Sequence, residues 1–264
     1  MSTQKKQGGF PIPNWLVFTI IFGVAVCIYL FVFGAKSNFD ELGHPLPGNY
    51  LGMVYAGGFI VPILFTFFIS MAVFSIERFL SLNKASGGKD VDGFLKAVSQ
   101  ALDNGKTQEA RDLCDRQKGT VANVTLSGID AFESMSKNNE LKGEQKILAI
   151  QKEMEETTAL EVPMLQQNMS ILSTLASVAT LLGLVGTVLG MIRSFAALGA
   201  TGAPDQAALA NGISEALINT ALGISTSLLA IIFYNYFSSK IDGMTYKMDE
   251  AQFLISQSFA SKNA

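Results

Sequence analysis

The chain alternates between long stretches without charge and one long stretch that holds most of it. No Asp, Glu, Lys or Arg occurs in residues 15–35, 50–76, 162–192 or 216–239. Each run reaches the roughly 20 residues needed to cross a bilayer as a helix. Four transmembrane helices are therefore predicted. The second run contains Gly57, Gly58 and Pro62. Pro62 has no amide proton, and a kink is expected there, tolerable if a neighbouring helix packs against it. The second run stops at Glu77–Arg78, the third at Arg193 and the fourth at Lys240.

Residues 81–160 have the opposite character. Helical patterns occupy 90–103, 106–117, 120–136 and 141–160, punctuated by Asn104–Gly105, Gly119 and Asn138–Asn139. The last pattern meets only Pro163 before the third apolar run. One long helix, half in water and half in lipid, is expected there. The fourth span should likewise continue into the polar tail. The short basic start, with Lys5 and Lys6, could precede a signal peptide. The apolar run is too long for one, and no small-residue cleavage pattern follows, so a retained helix with Trp15 at the interface is expected.

Lysine and arginine then set an orientation. Residues 81–160 hold 11 of them, the tail from 240 holds three and the N-terminus two. Residues 36–50 hold only Lys36, and 199–210 hold none. The positive-inside rule places the first two groups and both termini in the cytoplasm. The predicted fold class is all-α: a polytopic membrane protein with four transmembrane helices and a helical cytoplasmic domain. The expected order is an N-terminal segment 1–14, a helix 15–35, a periplasmic loop 36–50 and a helix 51–78. A cytoplasmic domain 79–161 follows, then a helix 162–198, a periplasmic turn 199–210, a helix 211–239 and a cytoplasmic C-terminal helix 240–264.

Composition mainly excludes. With 49% hydrophobic and 16% charged residues, a positive mean hydropathy and a net charge of −3, there is no basic aromatic-rich patch for nucleic acid. Cys27 lies in an apolar run and Cys114 in a polar domain, so no disulfide framework is expected. His44 is the only histidine, and no zinc-type cluster can be assembled. No nucleophile–base pair or metal set points to an enzyme.

The last two runs carry hydroxyls where lipid-facing helices carry only aliphatic residues. Every seventh residue returns to nearly the same helical face. Ser173, Thr180, Thr187 and Ser194 form such a stripe on the third span, and Thr220, Ser227 and Tyr234 on the fourth. In an antiparallel hairpin, residues with a constant summed number lie at equal depth. Thr187 is therefore level with Thr220, Thr180 with Ser227, and Ser173 with Tyr234. Such hydroxyls can bond back to the preceding turn and assist packing, or they can line a water- or ion-conducting surface. Gly183, Gly186 and Gly190 suit close helix contact. Arg193 and Glu215 are also level, near the outer end, where they could pair or reach the interface. Glu215 belongs to a second stripe with Asn211, Asn219 and Thr226. Both stripes cannot face one pore axis. No carboxylate lies at the depth of Thr187 and Thr220, so a proton moving there needs one from a partner.

The segments GLVGTVLGMIRSF (183–195) and GISEALINTALGISTSLLAIIFYNYF (212–237) resemble the paired signature of the ExbB/TolQ/MotA proton-channel family, nearest its ExbB branch and then TolQ. The resemblance is dense over 165–240 and looser in SIERFL and EARDLC. It implies a stator in the bacterial inner membrane: a ring, commonly of five such chains, around single-span ExbD- or TolR-like helices whose aspartate carries the proton. Proton motive force would then drive a TonB-like protein serving outer-membrane transport. The family's pore threonines fall on Thr187 and Thr220, and its transmembrane glutamate on Glu215. Ser173, Thr180 and Ser227 are expected to extend the same wall, with Arg193 and Glu215 above it as pore or interface charge, and Gly183, Gly186, Gly190 and Gly223 packing the helices. No cofactor is implied, the proton itself being the transported ion. Two departures stand out. Thr180 replaces a proline usual before the first motif, and relatives of the three-span plan lack the 15–35 helix. A TolQ-like unit for envelope maintenance, a self-contained cation channel using Glu215, and a scaffold whose stripes only pack helices remain the alternatives.

Overall fold

The computed structural model describes residues 13–41, 45–46, 48–200 and 206–263. His44 and the centre of the 199–210 turn lie outside the described residues. The described residues are helical apart from short connections, with one isolated bridge between Phe39 and Pro45. Among the described residues, four helices are long and apolar enough to cross a membrane. The chain divides into two compact units. One comprises residues up to Glu77 together with Asn168–Asn235; the other comprises Arg78–Gln167 and the chain from Tyr236 onward.

In the first unit, α1 (Asn14–Ile28) runs into a wider helical turn at Tyr29–Phe33. It packs through aromatic pairs against α2 (Tyr50–Tyr55) and α3 (Val61–Ala85). Tyr29 stacks on Tyr55 at 4.7 Å between ring centroids, Phe33 meets Phe65 edge-on at 5.2 Å, and Phe18 lies 5.4 Å from Phe74. The faces turned away are apolar and bare: Phe31, Leu181, Leu184, Leu217 and Leu228 are all exposed. That pattern suits lipid, which satisfies no backbone group and so requires these segments to be helical.

The second span differs from expectation. Its break lies at Gly57–Gly58, not at Pro62. Gly58 has φ +77°, and a short turn at Gly58–Ile60 separates α2 from α3. Pro62 is the second residue of α3, where a first-turn N–H would have no helical partner anyway. Nor does the helix stop at Glu77–Arg78. It continues to Ala85, with Glu77 and Arg78 both buried.

The long helix expected from 141 into the third span is also corrected. α7 (Gly143–Leu165) ends two residues after Pro163, and α8 (Met169–Ala200) starts afresh. Between them Asn168 adopts the left-handed conformation at φ 60°, which asparagine tolerates better than most residues. Its side chain donates to Glu77 Oε2 at 3.2 Å and accepts from Asn14 Nδ2 at 3.0 Å, so α1 is tied to the restart of α8. With Thr180 in place of proline, α8 runs unbroken. α9 (Gln206–Asn263) is a single helix of 58 residues that contributes to both units.

The second unit is built from α4 (Val91–Asp103), α5 (Thr107–Gln117), α6 (Gly119–Lys137), α7 and the later turns of α9. Leu102, Ile129, Ile150, Met154, Met248 and Phe259 are fully buried or nearly so. Phe132 meets Phe259 edge-on at 5.1 Å. A Cβ on Gly128 would come within 2.5 Å of Met154 Sδ, so α6 lies tightly on its neighbours. Burial pushes the Cys114 thiol up to about 12, which keeps it protonated and inert. Arg111 pairs with Asp130 and, at 2.8 Å, with Glu133. The hydrogen bonds from Lys137 and Arg111 hold the Glu133 carboxyl below its ordinary value.

Candidate functional site: the hairpin of α8 and α9

Small residues decide how closely these two helices approach. A Cβ on Gly223 would lie 2.6 Å from the Ala179 carbonyl oxygen and 2.9 Å from Gly183 Cα. One on Gly190 would lie 2.7 Å from the Gly212 carbonyl oxygen, and one on Gly186 would lie 2.5 Å from Asn219 Cβ. The backbones therefore touch, as small-residue seams allow in membranes. Gly183, Gly186, Gly190 and Gly223 all lie on this seam.

At this spacing Thr187 and Thr220 meet directly, their hydroxyls hydrogen-bonded to one another. Both also reach the Gly183 carbonyl, Thr187 Oγ1 at 3.3 Å and Thr220 Oγ1 at 3.4 Å. Two hydroxyls have two protons. One can donate across the pair while the other donates to the carbonyl, and the two directions are chemically equivalent. Both threonines are half-buried, so the pair has an open side.

The rest of that stripe is not brought together in the same way. Thr180 and Ser173 are exposed on α8. Ser227 is buried and donates to the Ala176 carbonyl rather than meeting Thr180. Ser194 is fully buried, with the Gly190 and Leu209 carbonyls as its acceptors at 3.1 and 3.2 Å. Tyr234 is half-buried.

The second stripe turns inward. Arg193 Nη1 donates to Glu215 Oε1 at 2.5 Å. The Glu215 side chain is 10% exposed and that of Arg193 is 51%. The glutamate is therefore an interior group held by a partly solvated cation. Gly58 makes room for it, since a Cβ there would lie 2.5 Å from Glu215 Oε1. The Arg193 guanidinium sits 5.6 Å from the centre of the Phe59 ring. One turn along α9, Asn219 is fully buried and donates from Nδ2 to the Gly57 carbonyl at 2.9 Å. Its Oδ1 has no partner among the described residues. Thr226 is buried and bonds back to Leu222 at 2.8 Å, whereas Asn211 is exposed.

Within the chain, Glu215 and Arg193 pair with each other and lie against the broken second span. Sequence reasoning missed the role of Gly57–Gly58 as the socket for Glu215 and Asn219. The adjacent glycines inside an apolar span were the available signal.

The fold is thus a helical membrane protein with a backbone-tight hairpin, a neutral hydroxyl pair on its half-open side and an ion pair with a buried glutamate on another face. Residues 119–250 match the MotA/TolQ/ExbB proton channel family, and the chain belongs to that family. It is a family of proton channels rather than of enzymes. The chain is 29% identical to the biopolymer transport protein ExbB of Pseudomonas putida, over 58% of its own length and 46% of that protein's. It is 27% identical to the Tol-Pal system protein TolQ of Haemophilus influenzae, over 74% of itself and 87% of that protein. It is 39% identical to the putative biopolymer transport protein ExbB-like 3 of Synechocystis, over 33% of itself and 42% of that protein. The chain thus spans less than half the length of the two ExbB relatives described here.

Proposed function

We propose that this chain is the channel subunit of a proton-driven motor in the bacterial inner membrane, with both termini cytoplasmic. Copies of it form a ring, five being the number that the resemblance implies. The Thr187–Thr220 pair is the wall past which a proton is handed. The carboxylate that carries the proton comes from a single-span partner of ExbD or TolR type, and the work is passed to a TonB-like protein serving outer-membrane transport.

The observation that supports this reading most directly is the pair itself: two half-open hydroxyls sharing one carbonyl, with Glu215 turned away and already paired. The proton would fall through about 2.3 kcal/mol per 100 mV of membrane potential, before any pH gradient. The test is Thr187→Val with Thr220→Val in the complex reconstituted with its partner. Proton flux into vesicles is expected to collapse while the complex stays assembled. Full flux in the double variant would overturn the reading.

A TolQ-type unit for envelope maintenance is the second reading, favoured by the match over 87% of the Haemophilus TolQ. Sensitivity to detergent on deletion supports it; failure to grow under iron limitation supports the first.

A further inference from the structure

The second unit contains a cavity of about 570 Å³ that the channel reading does not use. It lies between the end of α3, the Ser86–Lys89 turn, and the stretch of α9 from Lys240 to Lys247. We propose that it binds the phosphate of an anionic phospholipid headgroup.

Lys89, Lys240 and Lys247 line the cavity, and no carboxylate does among the described residues. Lys247 is already committed to Asp92 at 2.5 Å and Glu250 at 2.7 Å. Lys240 is not: its ammonium donates to the neutral Asn83 Oδ1 at 2.5 Å. Lys89 is exposed and has no carboxylate partner among the described residues. Two uncompensated cations therefore face one space, with a third at its rim.

Lys240, Gly243, Met244 and Lys247 fall at helical spacing on one face of α9, so Gly243 sits between the two lysines. Nothing lies within 4 Å of a Cβ placed on Gly243, and its backbone needs no glycine. A glycine inside a helix is unfavourable relative to alanine. Neither packing nor backbone conformation accounts for it here; its effect is to leave the space between the lysines open. The opposite wall is fixed. Gly87 has φ +66°, and a Cβ there would lie 2.1 Å from the Lys118 carbonyl oxygen. Gly88 exchanges hydrogen bonds with Gln117, N to O at 2.8 Å and Nε2 to O at 3.0 Å.

Depth decides the source of the phosphate. Lys240 follows Phe237, the last apolar residue of the fourth run, by three residues, or roughly 4.5 Å along the axis. Headgroups occupy the few ångströms just outside the hydrocarbon region. The cavity opens in that layer, where basic pockets between spans hold anionic lipid.

The test uses the purified full chain in neutral detergent, with thermal stability and native mass spectrometry as readouts. The probes are dioctanoyl phosphatidylglycerol, dioctanoyl phosphatidylcholine and inorganic phosphate. Phosphatidylglycerol is expected to bind and raise the unfolding temperature, while the other two do neither. Lys240→Gln and Lys89→Gln should each weaken that binding about fivefold. Gly243→Leu, which fills the cavity and leaves every charge, should abolish it. Should Gly243→Leu fail to fold, Gly243→Ala takes its place and is expected to weaken binding without loss of fold. Lys137→Gln and Lys152→Gln, elsewhere on the same unit, should leave affinity unchanged. Equal binding of inorganic phosphate overturns the lipid assignment. Undiminished binding by the lysine or glycine variants, or equal loss in the two controls, overturns the site.

Discussion

The two polar stripes of the α8–α9 hairpin are made from the same helices and come to opposite ends. Thr187 and Thr220 are neutral, half-buried, and satisfied only by each other and one carbonyl. Glu215, Asn219 and Thr226 are buried, and the first two are anchored on Arg193 and on the Gly57 carbonyl. The hydroxyl stripe keeps its options open, because a neutral donor–acceptor can reverse its hydrogen bonds at little cost. The charged stripe cannot, because Glu215 is buried and would be left without compensation if its cation were removed. The group with the higher cost of burial was used for structure, and the cheaper, exchangeable pair was left facing outward.

That contrast can be broken at three places. The largest effect should come from Gly223→Val, which affects both stripes at once. Its side chain would meet the Ala179 carbonyl and Gly183 Cα, backbone atoms that cannot step aside. A loss of about 3 kcal/mol is expected, the upper end for overpacking, in a denaturation series in mixed micelles. Next comes Glu215→Leu, which strands Arg193 and exposes the glycine socket. Because Arg193 is half solvated, the cost should be about 1–3 kcal/mol, with Glu215→Gln recovering part of it by keeping a hydrogen-bond acceptor. A loss from Glu215→Leu no larger than that of an exposed substitution would mean that the ion pair is incidental. The smallest stability effect should come from Thr187→Val with Thr220→Val, at about 1 kcal/mol, because only hydrogen bonds between neutral groups are lost, no charge is stranded and shape is kept. Stability unchanged with flux abolished would sharpen the division of labour between the stripes. A large stability loss would erase it.

The fold class and the four apolar helices were legible because uncharged runs of that length report such helices directly. Constant sums put Thr187 level with Thr220 and Arg193 level with Glu215, and in the structure each pair is in contact. Three things were not legible. The break at Gln166–Asn168 needed a left-handed asparagine held by Asn14 and Glu77, groups far away in sequence. The displacement of the kink from Pro62 to Gly58 depended on where α3 began, since proline is harmless in a first turn. Which stripe would be buried depended on a third helix, and periodicity within a hairpin contains no information about that neighbour. Ser227 turned to a carbonyl instead of to Thr180 for a related reason: the nearest acceptor was backbone, which spacing between side chains does not reveal.

The two helices that carry the hydroxyl pair differ in how they are continued. α9 is one unbroken helix, roughly 87 Å long at helical rise, so Thr220 stands on a backbone ladder that runs on to Asn263. α8 starts afresh at Met169, after the three residues that follow the end of α7 at Leu165, so the ladder that holds Thr187 is not shared with α7.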